Sequence, residues 1–202
     1  MYLLSVFLFA ISANIDNFTV GIAYGIKKIQ IGLFNNFLIA LISAVGTFLS
    51  MHVGLALSKF MSVSTANSIG SLVLILIGIW AVKDSLNQLK KHKKSRVSHT
   101  NCKRILDEPE LADRDNSKTL DVKESAALAF ALTINNLGLG IGASITGFNI
   151  YITVLFTFIF SILSITSGSM LGKTYMSKLF GKFAPLISGI IIVALGVYEF
   201  FH

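Results

Sequence analysis

The sequence predicts an all-α integral membrane protein whose six transmembrane helices form an inverted repeat of three plus three. Of the 202 residues, 53% are hydrophobic and only 13% are charged, whereas soluble domains average about 25% charged residues. The apolar residues form six runs, each close to the roughly 20 residues that span a bilayer. A polar signature in the first run, at 14–17, returns at 134–136 in the second half.

The six apolar runs are the predicted membrane spans, and they are apolar on nearly all faces, as expected for helices between lipid and protein. They lie at about 2–26, 33–57, 67–86, 125–146, 149–172 and 184–201. One long polar segment divides them into two groups of three. The predicted units are therefore a first three-helix repeat at 1–86, a polar linker at 87–124 and a second three-helix repeat at 125–202.

The distribution of Lys and Arg predicts the orientation in the cell membrane. Sixteen of the 17 fall in alternate connections or, for Lys83, at the adjoining end of a span, all of which would face one side, and only Lys59 falls on the other side. Because cytoplasmic loops carry an excess of Lys and Arg, both termini are predicted to lie outside and 87–124 to lie in the cytoplasm. The net charge of +7 comes from these clusters, so the predicted partner is the lipid bilayer and no nucleic acid.

The linker 87–124 is basic at its start and mixed or acidic later. This composition is typical of a flexible segment, and 87–124 is also the candidate docking segment for protein partners. It contains His92, His99 and the single cysteine, Cys102, but their spacing matches no zinc-binding pattern.

The similarity of the two halves extends beyond the polar signature. An offset of 119 residues pairs Thr47 with Thr166, and an offset of 118 pairs Gly78 with Gly196. Each half has three predicted spans, an odd number, so the second half would cross the membrane with opposite polarity. In transporters of this inverted design the substrate site lies near the bilayer midplane, where the halves meet.

Asp16 lies near the middle of the first apolar run, where a carboxylate costs about 2.5–3.5 kcal/mol to insert. A helix that served only as an anchor would not carry it. In a continuous helix Ser12 and Thr19 would share a face with Asp16, and carboxylate, hydroxyl and amide oxygens suit Mg²⁺, Ca²⁺ or Mn²⁺. The predicted ion-binding residues are Asp16, Asn17, Asn135, Asn136, Thr19 and Ser12, with Asp16 and Asn135 as metal ligands.

No combination of nucleophile, base and metal ligands occurs within the spans, so no catalytic residue and no resident cofactor is predicted, and the divalent cation would be the substrate. Packing is the alternative role for the small and polar residues. Gly21 with Gly25, and Gly138 with Gly142, have the spacing of small residues that pack helices together. Hydroxyl residues such as Thr47 and Ser50 are expected to form hydrogen bonds between helices.

At these positions the chain resembles the manganese efflux pump family. The residues that carry the resemblance are Asp16-Asn17-Phe18, Asn135-Asn136, Gly172, Gly181-Lys182, Ala184, Gly189 and Gly196. The resemblance covers all six spans, and it implies a six-span inverted-repeat fold and manganese export. Within this family the details are most similar to sporulation membrane proteins of the YtaF type.

The resemblance also implies acidic residues at two further positions, where this chain has Asn135 and Gly46. Asp16 is then the one carboxylate left of three. Two functions follow from the sequence. The first is a secondary transporter that moves a small, Mn-like cation through a midplane site. The alternative is a non-transporting sporulation membrane protein that serves as an interaction platform.

Overall fold

A computed structural model describes residues 2–90, 112–113, 117–173 and 177–201, and this part of the chain is helical apart from short connections. Its helices are α1 (Tyr2–Ala13), α2 (Ile15–Lys27), α3 (Leu33–Ser58), α4 (Val63–Lys90), α5 (Val122–Ile145), α6 (Ile150–Gly172) and α7 (Ser177–Phe201). The all-α prediction is confirmed. The candidate metal-binding residues of the linker, His92, His99 and Cys102, lie outside the described residues.

The described helices are those of a multi-pass membrane protein. Four stretches are long and apolar enough to cross a bilayer: Leu3–Lys27, Leu33–Ser58, Ser68–Asn87 and Ile150–Gly172. A fifth consists of two helical segments, Val122–Ile134 and Asn136–Ile145, which meet at an angle of 46°. The last apolar stretch, Pro185–Phe201, is shorter than these, so the sixth span stays a prediction.

The first span is broken at the polar signature. Asn14 separates α1 from α2, and its backbone N–H donates to the carbonyl of Ile11, one residue closer than in an α-helix. In a regular helix the backbone N–H of Asn14 would donate to Ala10 O. Here the side-chain amide of Asn14 donates to Ala10 O instead, at 2.8 Å. The fifth helix bends at the equivalent place, between Ile134 and Asn136. Broken helices of this kind make backbone groups available to ligands within a membrane.

Glycines bring the first span into backbone contact with α6. A methyl group added at Gly21 would lie 2.6 Å from the carbonyl oxygen of Ile165, and one added at Gly25 would overlap Gly172. Since both residue numbers increase together along the contact, α2 and α6 run parallel. The small-residue spacing at Gly21 and Gly25 therefore does mark a helix-packing face.

A second parallel contact joins α3 to α5. A methyl group at Gly54 would lie 2.5 Å from Ile141 O, and Gly46 lies against Thr133 further down the same pair. In contrast, α3 and α6 run antiparallel, since Asn36 near the start of α3 donates to Thr166 near the end of α6 at 2.9 Å. Taken together, these directions make the first span antiparallel to α5.

The helices α2 and α5 end in the same capping motif. The N–H groups of Lys28 and Ile29 donate to carbonyls in the last turn of α2, at 3.3 and 2.9 Å, and Lys28 has a positive φ of 59°. At the end of α5, Gly147 and Phe148 form the same two bonds at 3.0 Å each, and Gly147 has a φ of 88°. This is the Schellman arrangement, in which a left-handed residue ends a helix and an apolar residue follows.

The two apolar residues that follow these caps enter separate hydrophobic clusters. Ile29 is buried with Val20, Tyr24 and Leu132, which lie after the break in the first span and before the bend in α5. Phe148 is buried with residues from the other sides of both interruptions, including Phe9, whose ring meets that of Phe148 edge to face. The broken part of the protein thus lies between two apolar clusters.

Part of the polar linker is packed, which corrects the expectation that all of 87–124 is flexible. Ala112 and Leu120 are buried in the same cluster as Ile29. The backbone of Gln30 accepts from Leu120 and donates to Lys118, at 3.1 and 2.8 Å. Ala112 and Leu120 bury their side chains on the apolar surface beside Ile29. The backbone groups of Gln30, just after α2, form the hydrogen bonds that hold this end of the linker in place.

Candidate functional site

Asp16 and Asn136 meet where the first span lies against α5. The side-chain amide of Asn136 donates to Asp16 Oδ2 at 3.3 Å and to the carbonyl oxygen of Ala13, at the break, at 2.8 Å. The other oxygen of Asp16 accepts the backbone N–H of Asn17 at 2.9 Å. Asp16 is half-buried and lies at the centre of the Leu3–Lys27 span. The expected neighbour of Asp16 from the second half is therefore present.

Asn17 points toward α6 and is 1% exposed. Its amide nitrogen donates to Asn14 Oδ1 and to Ser161 Oγ, both at 2.9 Å. Its oxygen, Oδ1, is buried and receives no hydrogen bond from any residue that the structure describes. Asn17 thus both joins two helices and keeps an amide oxygen available to a ligand.

Ser12 lies before the break at Asn14, whereas Thr19 lies in the same helix as Asp16. Ser12 is 3% exposed, and its Oγ lacks a partner within the described part of the chain. Thr19 donates its hydroxyl to Ile15 O at 3.0 Å, in its own helix. The side chain of Asn135, the other predicted metal ligand, lies outside what the structure describes.

A small cavity lies beside Asn136, between the first span, α3, α5 and α6. The space open to the centre of a water molecule is about 10 Å³, which is room for about one water. Its polar lining consists of Asn14, Ser43, Thr47, Ser50, Thr133, Asn136 and Thr157. Phe9, Ala13, Leu137 and two glycines complete the lining, including Gly46, where the resemblance implies an acidic residue.

Three of the hydroxyls around this cavity are buried with no hydrogen-bond partner in the described residues: Ser43 Oγ, Thr133 Oγ1 and Thr157 Oγ1. Sequence reasoning missed all three. The signal was available as hydroxyl residues one turn apart inside apolar runs, for example Ser43 with Thr47, and Thr157 with Ser161. Such pairs also occur in ordinary helix packing, so the spacing alone did not identify them.

The hydroxyls that were expected to join helices divide into two kinds. Thr47 and Ser50 donate to carbonyls of their own helix, both at 2.9 Å, and line the cavity. Thr166 accepts from Asn36 and does join two helices. Asn36, which the sequence did not single out, is 4% exposed and keeps its oxygen without a donor from the described segments.

The donor set at this site is oxygen-rich and weakly charged. Among the described residues no group of three His, Cys, Asp or Glu side chains is placed to hold a metal. Asp16 contributes the carboxylate, and amide, hydroxyl and backbone carbonyl oxygens occur at the break and around the cavity beside Asn136. Oxygen donors of this kind select hard cations over soft ones.

Comparison with known proteins places this arrangement in a family. The family model described as "Putative manganese efflux pump" matches residues 1–82 and 102–199. The chain belongs to this family. The description of this family names an efflux pump and no class of enzyme. No solved structure matches the chain significantly.

Individual relatives in the manganese efflux pump family match along almost the whole chain. "Probable sporulation protein YtaF" of Bacillus subtilis (strain 168) is 31% identical, over 98% of this chain and 100% of that protein. "Putative manganese efflux pump MntP 2" of Clostridium botulinum is 27% identical, over 99% of this chain and 94% of that protein. "Putative manganese efflux pump MntP" of Bacillus mycoides is 22% identical, over 98% and 96%. The resemblance found in the sequence, including its sporulation branch, is thereby confirmed.

Proposed function

We propose that the protein is a secondary transporter that moves a small divalent cation, such as Mn²⁺, through a site at Asp16 between two inverted halves. The contact of Asp16 with Asn136 carries the proposal, since it joins the first span to α5 in the middle of two interrupted apolar helices. Intramembrane carboxylates are costly and mark ion pathways in transporters. The family name, manganese efflux pump, supports the choice of ion.

The proposed inverted repeat has support from the helix contacts. In the repeat, α2 of the first span corresponds to α5, and α6 corresponds to α3. The parallel contact between α2 and α6 therefore has its counterpart in the parallel contact between α5 and α3. The two capping motifs correspond in the same way, since Lys28 and Gly147 are 119 residues apart, as are Ile29 and Phe148. An antiparallel first span and α5 are what a pseudo-twofold axis in the membrane plane requires.

The same correspondence suggests how the site is closed. Ile29 and Phe148 each follow a cap and enter a hydrophobic cluster, one on each side of the interrupted helices. Alternating access then requires one cluster to separate while the other stays closed. Both clusters are packed in the described structure, as the proposed occluded state would require.

The divalent ion would be held mainly by oxygens. Asp16 supplies one negative charge, and the amide oxygen of Asn17 and the carbonyls at the break are neutral donors. One carboxylate leaves a net positive charge on a bound dication, which is costly in a low-dielectric site. Weak binding follows, and weak binding is compatible with transport because the ion has to leave.

Flux in proteoliposomes tests this function. We expect the reconstituted protein to admit Mn²⁺ to vesicles that contain a metal-sensitive dye, above the rate of protein-free vesicles. Hard cations such as Mg²⁺ and Ca²⁺ should compete better than soft ones, because the donors are oxygens. Absence of flux for every divalent ion would contradict transport.

Absence of flux would favour the second candidate, a sporulation membrane protein that serves as a platform. The 31% identical relative named as a sporulation protein favours this candidate. The linker 87–124, with Ala112 and Leu120 already packed on the helices, would then be its docking segment.

The orientation in the membrane is a separate proposal: both termini outside and the linker in the cytoplasm. We expect a membrane-impermeant maleimide to leave Cys102 unlabelled in intact cells and to label it after permeabilisation. A matched control is Lys59→Cys in a Cys102→Ser background, since Lys59 is exposed in a connection predicted to face outside. External labelling of Cys102, or protection of the Lys59→Cys protein, would reverse the orientation.

A further inference from the structure

The side chains of Thr47, Ser50 and Asn136, which line the cavity, have used their protons in other hydrogen bonds and can offer the cavity only acceptor oxygens. Thr47 and Ser50 each give their hydroxyl proton to a carbonyl of α3, so what remains of each is an acceptor. Asn136 uses its side-chain nitrogen toward Asp16 and Ala13, which leaves its carbonyl oxygen. These groups are complementary to a ligand that carries positive charge and has no lone pairs of its own.

Three further hydroxyls point to the same conclusion. Ser43 and Thr157 are 8% and 4% exposed and, like Thr133, have a buried oxygen with no partner in the described parts of the chain. Such unpaired groups are rare in folded proteins and call for a ligand, ion or water. Because these three hydroxyls accept no hydrogen bond from the described residues, their lone pairs are free for a cation.

We propose that this cavity binds one small monovalent cation of the size of Na⁺, at a site separate from Asp16. No side chain of its lining carries a formal charge, and a bound ion there is compensated only by dipoles. One positive charge is much cheaper than two to desolvate in this way. The size of the cavity, about 10 Å³ for water centres, admits one ion without its hydration shell.

Asn136 connects this cavity to Asp16. It lines the cavity and also donates to Asp16 Oδ2. A cation on its carbonyl oxygen would polarise the amide and strengthen its donation to the carboxylate. The monovalent ion would then be the coupling ion of the transporter, so its role depends on the proposed function, whereas its binding does not.

Thr157 and Thr153 offer a matched pair of variants. Both are buried threonines of α6, one turn apart, and both hydroxyls lack a partner among the residues described. Only Thr157 lines the cavity. Valine replaces threonine with nearly the same shape and removes the hydroxyl, so Thr157→Val removes a ligand and Thr153→Val does not.

The experiment measures ²²Na⁺ binding to the purified full-length protein in detergent. The wild type should bind Na⁺ saturably, with competition by Li⁺ and none by N-methylglucamine. Thr157→Val should weaken binding by about tenfold or more, and Thr153→Val by less than about twofold. Ser43→Ala, which removes a second lining hydroxyl from α3, should also weaken binding. Size-exclusion chromatography confirms that each variant is folded.

The outcomes separate this inference from the proposed function. Lack of saturable Na⁺ binding by the wild type would overturn the inference, since the cavity would then hold water, and so would equal losses in Thr157→Val and Thr153→Val. Sodium binding that depends on Thr157 would support it even if no divalent flux is found. Divalent flux without sodium binding would leave the proposed function standing and refute the inference.

Discussion

Asp16→Asn is expected to abolish divalent-cation flux while the protein still inserts and folds. The replacement keeps the shape of the side chain and an oxygen that can accept from Asn136, and it removes the one negative charge that Asp16 brings to the site. Truncating one charge of a buried pair typically costs 2–5 kcal/mol. A loss of about 3 kcal/mol corresponds to a loss of roughly 100-fold in affinity for the dication.

The measurement is initial Mn²⁺ uptake by proteoliposomes that contain equal amounts of folded protein. Asp84→Asn is the matched control, because Asp84 belongs to another candidate span, Ser68–Asn87, and does not line the cavity beside Asn136. It should retain the flux of the wild type. Equal flux in Asp16→Asn and wild type would remove Asp16 from the ion pathway.

The gross features of the protein could be predicted from the sequence because hydropathy is a long-range signal. The apolar runs became helices, and the contact between Asp16 and Asn136 followed from the cost of an isolated carboxylate in a membrane. The break at Asn14 was not predictable in this way. It lies within a run that is apolar on both sides, and hydropathy does not distinguish one bent span from one straight span.

The polar cavity was harder to foresee than the carboxylate. Ser43, Thr133 and Thr157 come from three different helices, α3, α5 and α6, so their convergence depends on packing and not on spacing in the sequence. Serine and threonine are also common at helix contacts in membranes. What distinguishes these three is that their oxygens are buried and unpaired in the described structure and also line one cavity, which only three-dimensional contacts can show.

The packed end of the linker is a similar case. The segment 87–124 is mostly charged and polar, so its average composition did not predict that two of its apolar side chains would be buried. Ala112 and Leu120 are 1% and 3% exposed, because the end of α2 and the start of α3 leave an apolar surface beside Ile29. A compositional average over a whole segment does not detect anchors this small.

Gly21→Val is expected to prevent the close packing of α2 on α6. A methyl group at Gly21 would lie 2.6 Å from Ile165 O and 3.1 Å from the backbone nitrogen of Ser169. Backbone atoms cannot rotate out of the way as a side chain can, so the helices have to move apart. Overpacking typically costs about 1–3 kcal/mol and sometimes more, which predicts a melting temperature lower by roughly 2–12 °C.

Gly32→Ala is the matched control for thermal unfolding in detergent, because nothing lies within 4 Å of a methyl group there and its φ of −62° suits alanine. The Gly32→Ala protein should have the same melting temperature as the wild type. If the halves are equivalent, Gly54→Val should be as damaging as Gly172→Val, since a methyl group at Gly54 would lie 2.5 Å from Ile141 O and one at Gly172 would overlap Ile22 O, 119 residues earlier. A Gly21→Val protein as stable as Gly32→Ala would mean that α2 and α6 do not pack backbone to backbone. The same contact holds Asn17 against Ser161, so a separation of these helices should also reduce flux in the molecules that still fold.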